Sequence, residues 1–124
     1  MTGAAVVVAG ATGNLGGRIV NALVARGAEV RALVRRAAAE ENVELLRQKG
    51  ADVVRVGFDS PEDLRRACAG GACVVSALSG LREAVVEAQS SLLDAAVTAG
   101  VPRFIPSDFS IDFAKLIPGT NRNL

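Results

Sequence analysis

The sequence predicts an α/β domain of Rossmann type, a doubly wound parallel sheet of five strands in the order 3-2-1-4-5. Three observations predict it. Apolar, strand-like runs alternate with helix-like segments, as expected of parallel strands joined by right-handed crossovers. A Gly-x-x-Gly-x-x-Gly loop, built on Gly10, Gly13 and Gly16, falls between the first strand-like run and the first helical one. Half of the 124 residues are apolar but only 3% are aromatic, with no Trp and no Tyr. That composition suits an aliphatic sheet buried on both faces under Ala-rich helices.

Each element has its own signal. Residues 4–9 (AAVVVA) form a short continuous apolar run, the mark of a strand buried on both sides. Residues 14–26 carry Leu15, Ile19 and Leu23 at helical spacing, and Gly27 stands where a helix stops. Residues 29–34 are a second strand. Residues 40–49, with Val43, Leu45 and Leu46, are a second helix closing on Gly50, and residues 52–56 a third strand. Ser60 caps a third helix, Pro61 suits its first position, and Asp63 three residues after the cap resembles a capping box. Residues 73–77 are a fourth strand, residues 81–99 the longest helix, ended by Gly100, and residues 103–106 a short fifth strand at one edge. Regular signals fade after Ser107. The expected organisation is a dinucleotide-binding domain over residues 1–106, then an irregular tail, 107–124, that would lead into a missing substrate domain; the sheet reads as truncated. In the tail only Phe109, Ile111, Phe113, Leu116 and Ile117 are on hand to cover the fifth-strand edge. Homo-association through that edge is therefore expected.

Bulk properties exclude several function classes. There are 14 basic and 13 acidic residues, for a net charge of +1. No basic run is long enough for a nucleic-acid surface, so no nucleic-acid partner is expected. No segment approaches the roughly 20 apolar residues that cross a bilayer, and the first apolar run is too short for a secretory signal. A cytoplasmic chain with no membrane partner is expected. Cys68 and Cys73 match no zinc spacing and the chain has no His, so no metal site is expected and both cysteines read as small buried residues.

The glycine loop carries the chemistry. Gly10 permits a tight turn off the strand, Gly13 lets a pyrophosphate approach the backbone, and Gly16 lets the helix pack closely. The helix N-terminus offers free N–H groups and partial positive charge, and Thr12 and Asn14 add hydrogen-bonding side chains. A plain strand-to-helix turn is the bland alternative, but the strand before and the helix after favour a dinucleotide. Where a site for NAD has a carboxylate for the ribose, the second strand here runs into Arg35-Arg36. A guanidinium pairs with a 2′-phosphate, so the expected cofactor is NADP(H), with Arg35 the first candidate and Arg36 the second. A solvated basic pair at a helix start is the alternative. Phe58, just past the third strand, is either a face for adenine or a core residue.

GATGNLGG at 10–17, ALVRR at 32–36 and LLDAAVTAGVPRFIPSDF at 92–109 together resemble the NmrA-like and isoflavone-reductase-like proteins, atypical relatives of the short-chain dehydrogenases and reductases. The resemblance spans nearly the whole chain but only the N-terminal part of a family member. It implies that Gly10, Thr12, Gly13, Asn14, Leu15 and Gly16 form the dinucleotide loop and that Arg35 meets the 2′-phosphate. Phe58 matches a position beside adenine. Ala77, Leu78 and Ser79 match the loop that passes the nicotinamide ribose. Pro106 and Ser107, with Asp108 and Phe109, match the wall near nicotinamide and substrate. Gly57 departs from the pattern, since many relatives have Asp there. The lysine of the reductase branch has no counterpart in this chain, and Lys115 stands in a different context. With no Tyr and no His, only Ser79, Ser107, Asp108 and Lys115 remain as proton donors, and none has an activating partner in the sequence. No catalytic residue is assigned. Three readings stay open: the cofactor half of an NADPH-dependent reductase, whose small-molecule substrate is met in a longer form; a dinucleotide-sensing regulatory module acting through a protein partner; and a nonfunctional fragment.

Overall fold

The computed structural model describes residues 5–78 and 82–106. Strands β1 (Ala5–Ala9), β2 (Val30–Arg35), β3 (Asp52–Val56), β4 (Gly71–Ser76) and β5 (Phe104–Ile105) form one parallel sheet in the order β3-β2-β1-β4-β5. Helices α1 (Asn14–Ala25), α2 (Glu40–Gln48), α3 (Pro61–Cys68) and α4 (Arg82–Thr98) alternate with the strands. Strand order and chain alternation are those the sequence predicts, and β5 lies at the edge with Ile105 half exposed.

Strand period 2 sorts the core into two layers. Val8, Ala32 and Val34 face α1 and α2, where Val20, Val43 and Leu46 close over them. Val7, Ala9, Leu33 and Val74 face the other way, under Leu64, Ala67 and Cys68 of α3 and Leu92, Ala95 and Ala96 of α4. Continuous apolar strands read as buried on both faces because both faces are in fact covered. Each fully buried Leu or Val contributes about 1.5–3 kcal/mol of transfer free energy.

Four local readings change. The stripe of α1 centres on Gly16 and Val20, while Leu15 is 40% exposed. Gly16 has no side chain, so the helix sits close to the sheet there and its buried line is rotated off Leu15. On α2, Val43 and Leu46 are buried but Leu45 is 54% exposed. Strand β4 begins at Gly71, earlier than the apolar run suggests, and the register against β1 shifts between Ala5 and Val6. A Cβ at Gly71 would stand 2.9 Å from the Val7 side chain, so a glycine that resembles loop is a tight strand position. Cys68 is buried in the α3/α4 layer, whereas Cys73 is only half-buried and packs in the α1/α2 layer. The sheet separates the two thiols, and burial pushes both up from the ordinary thiol range.

No helix among the described residues is long and apolar enough to cross a membrane. Leu33 is fully buried beside Ala9 at the sheet centre. Leu33→Ala is expected to cost about 2–5 kcal/mol, read as a lowered midpoint in urea unfolding. A loss below about 1 kcal/mol would mean that the layer over β2 is not close-packed.

Candidate functional site

The site begins where β1 stops. Gly10 has φ +78, a left-handed conformation, and a Cβ there would lie 2.6 Å from the Ala77 carbonyl oxygen. A Cβ on Gly16 would lie 2.1 Å from the Gly10 carbonyl oxygen. Backbone is thus packed on backbone from β4 through the loop to α1. The Gly13 N–H donates to Gly10 at 3.1 Å, and the Gly17 N–H donates to Gly13 at 2.8 Å.

Gly13 is the N-cap of α1, so no side chain caps the helix, and its first turn holds no acid. The first-turn N–H groups have no intrahelical acceptor. The other helices with described N-termini differ: α2 starts with Glu40 and Glu41, and α3 has Ser60 as its cap with Glu62 and Asp63 in the first turn. An anion such as a pyrophosphate fits the α1 end, because donors and dipole there are unspent. Thr12 and Asn14 are exposed at its rim.

A second feature lies at the ends of β2 and β3. A cavity of about 310 Å³ is lined by Arg35, Arg36, Gly57, Phe58, Asp59, Leu78 and residues of α4, so it holds one carboxylate beside its two guanidinium groups. Arg35 is exposed, and its side chain has no hydrogen bond or ion pair among the described residues. Arg36 does: its guanidinium pairs with Asp63. The Asp63 carboxylate also accepts from the Gly57 N–H at 3.1 Å. That backbone bond, with the Arg36 guanidinium behind it, holds the Asp63 carboxyl below its usual range. The capping box is therefore only half formed. Ser60 Oγ accepts from the Asp63 N–H at 3.3 Å, but the Ser60 N–H donates to the Gly57 carbonyl at 2.9 Å. Asp63 is diverted from the cap to Arg36. Phe58 packs against the core, as one of its two readings has it, and also lines the cavity.

Ala77 and Leu78 are buried at the end of β4, and the Ala77 N–H donates to Ala9 at 2.9 Å, which ties this loop to the glycine loop. Pro106 is exposed beyond β5. Ser79, Ser107, Asp108, Phe109 and Lys115 lie outside the described residues. Among those described, no group of three or more His, Cys, Asp or Glu is gathered as a metal would require.

Two features escape a reading along the chain. Ser76, 2% exposed, donates to Gln89 Oε1 of α4 at 2.7 Å. A lone Ser ending an apolar strand is its only signal. Thr12, Gly13 and Asn14 also border a cleft of about 270 Å³ with Arg18, Asn42 and Lys49. Its residues come from two helices, which no local motif announces.

The NmrA-like family model matches residues 2–118. Pinoresinol reductase 2 of Arabidopsis thaliana is 38% identical over 119 residues, which cover 90% of this chain and 38% of that protein. The bifunctional pinoresinol-lariciresinol reductase of Thuja plicata is 35% identical over 115 residues, 86% of this chain and 36% of that one. Among solved structures, AtPrR2 with NADP+ and (+)pinoresinol matches with a TM-score of 0.74 at 36% identity, covering 84% of this chain and 36% of that one. An isoflavone reductase matches with a TM-score of 0.76 at 27% identity, covering 98% and 42%. This chain belongs to the NmrA-like family and spans about two fifths of the length of the curated relatives it matches.

Backbone contact at Gly10 sets the first test. Gly10→Ala adds a Cβ both at positive φ and against the Ala77 carbonyl, so a stability loss of at least about 1–2 kcal/mol is expected. Thermal melts of the two proteins check it. An unchanged melting temperature would show that the loop does not rest on β4.

Proposed function

As a chain of the NmrA-like family, this protein, we propose, binds NADP(H) and forms the cofactor-binding part of an NADPH-dependent reductase. The observation that carries the proposal is the uncapped, acid-free N-terminus of α1, with the unpaired Arg35 beside a cavity at the end of β2. The first-turn N–H groups and Gly13 receive the pyrophosphate, with Thr12 and Asn14 at the rim. Leu15 and Gly16 complete the loop, Gly16 by holding α1 against Gly10. Arg35 takes the 2′-phosphate, Phe58 borders the adenine, and Leu78 belongs to the loop that passes the nicotinamide ribose. Ala77 and Ser79 flank the nicotinamide ribose, and Pro106 and Ser107 the nicotinamide end. When bound, NADPH supplies a hydride for reduction.

The named relatives are reductases, and one was solved with NADP+ and (+)pinoresinol. They favour the reductase over the dinucleotide sensor, and make pinoresinol and lariciresinol the first substrates to try with a longer form.

Titration of NADPH and NADH tests the cofactor. Arg35→Ala is expected to weaken NADPH by about 1.5–3 kcal/mol, the worth of a hydrogen bond to a charged group, and to leave NADH nearly unchanged. Equal losses for both would remove Arg35 from the 2′-phosphate. Gly13→Val should abolish binding of both cofactors while the fold survives, and unchanged affinity would place the phosphates elsewhere. The 124-residue chain has no His and no Tyr. Without a placed proton donor, a factor of about 10²–10⁴ is missing. NADPH consumption at background rate is expected with pinoresinol, quinones and enones, and turnover above background would reveal a proton donor within this chain.

A further inference from the structure

Arg35 and Arg36 are adjacent, and both line the cavity at the ends of β2 and β3, but their charges are not equally available. Arg36 is held at both ends. Arg55 donates to its backbone carbonyl at 2.8 Å and to that of Ala38 at 2.8 Å, fixing the turn after β2. Its guanidinium is paired with Asp63. Asp63 is in turn placed independently of Arg36, because it sits in the first turn of α3 and accepts from the Gly57 N–H. A Cβ at position 57 would stand 3.0 Å from Arg36 Nη1 and 3.0 Å from Asp59 Oδ1, so any side chain at 57 would contest both groups. Asp59 lines the cavity in every variant below, whereas the carboxylate ion-paired with Arg36 is that of Asp63. Asp63 does not line that cavity; it borders the neighbouring groove with Arg31, Arg55 and Arg66.

We propose that Asp63 is a specificity-determining residue acting through Arg36: it cancels the Arg36 charge and leaves Arg35 as the cation that selects a 2′-phosphate. The inference rests on the NADP(H) reading above. Arg36 walls the cavity with its bulk, and the Arg36–Asp63 pair presents almost no net charge to the ligand. The pair is screened, since the Arg36 side chain is 62% exposed and that of Asp63 21%. The effect on selection is therefore severalfold and not thousandfold.

Charge neutralisation in a double-mutant cycle tests it. The probes are adenosine 2′,5′-bisphosphate and adenosine 5′-monophosphate, titrated calorimetrically against the whole chain. The readout is their affinity ratio, which a merely structural role would not move. Asp63→Asn keeps an acceptor for the Gly57 N–H and uncovers Arg36, so the ratio rises about two- to fivefold. Arg36→Gln leaves a lone carboxylate, so the ratio falls by a similar factor. The double variant, with neither charge, returns to near the wild-type ratio. Should Asp63→Asn fail to fold, Asp63→Ser replaces it in the cycle. A double variant that stays as low as Arg36→Gln would show that Arg36 itself grips the phosphate, and the proposal fails. A ratio unmoved in every variant, with only the melting temperature lowered, also overturns it. If neither probe binds the wild-type chain, the NADP(H) reading falls, and the inference with it.

Discussion

The close approach of backbone to backbone at Gly10 and Gly16 is the constraint on which the rest depends. Ala77 at the end of β4, Gly10 at the end of β1 and Gly16 in α1 are stacked at separations that admit no Cβ. This contact pulls α1 down onto the sheet, turns its buried line from Leu15 to Val20, and leaves its first N–H groups at the carboxyl edge of the strands. It also lies between β1 and β4, where the strand order reverses. Crossovers leave this point in opposite directions, so no connection covers the crevice, and ligands of open α/β sheets bind there. The glycine loop is a product of packing as much as of its own three glycines.

The arginines divide their work by partner. Arg31 donates to the Ala67 and Ala69 carbonyls at 2.6 and 2.8 Å, closing the C-terminal end of α3, where a cation is favoured by the helix dipole. Arg55 closes the turn after β2 and also meets Glu40 at 2.9 Å. Arg65 and Arg66 both pair with Glu62 on α3, which lowers the Glu62 carboxyl through those hydrogen bonds. These contacts are local and well satisfied. Arg35, like Arg18 at the α1 cleft, lines a cavity with no side-chain partner among the described residues, and such a guanidinium is an unspent charge-assisted donor.

What the sequence made legible follows from periodicity and turn chemistry. The five apolar runs, the order of elements and the glycines at 27, 50 and 100, all at positive φ past their helices, are local signals and stand in the structure. Boundaries were less legible where tertiary contact overrides them, as at Gly71, which pairs with Ala5 across the sheet and has no room for a Cβ beside Val7. Of the site, the loop and Arg35 were legible because they are contiguous with strand ends. The engagement of Arg36 was not: its partner lies 27 residues on, in a helix whose first turn already explained Asp63 as a cap. A capping box and a diverted carboxylate have the same sequence, and only the position of Gly57 separates them. Ser76 and Gln89, and the cleft between α1 and α2, were hidden because their members meet only across elements.

The scarcity of aromatics belongs to the same design. Strand ends that support a backbone-lined site must be thin, or side chains would fill the approach to the phosphate loop. Ala9, Ala11 and Ala77 are all nearly fully buried around that loop. Large buried side chains such as Leu33, Leu64 and Leu92 supply the volume that holds helices on the sheet. Phe58 is the exception, a half-buried ring at the upper rim, and it stands beside Gly57, whose missing side chain makes room for Arg36. The adjacent pair thus sets a flat apolar wall next to a held guanidinium. The α1 face supplies N–H groups and the α3 face supplies the carboxylate that restrains Arg36, so the two layers of the core deliver opposite electrostatic functions to one edge of the sheet. That partition follows from right-handed crossovers that run in opposite directions, β1 to β2 and β3 to β4, which send α1 and α3 to opposite faces yet bring the N-terminus of each to the same carboxyl edge.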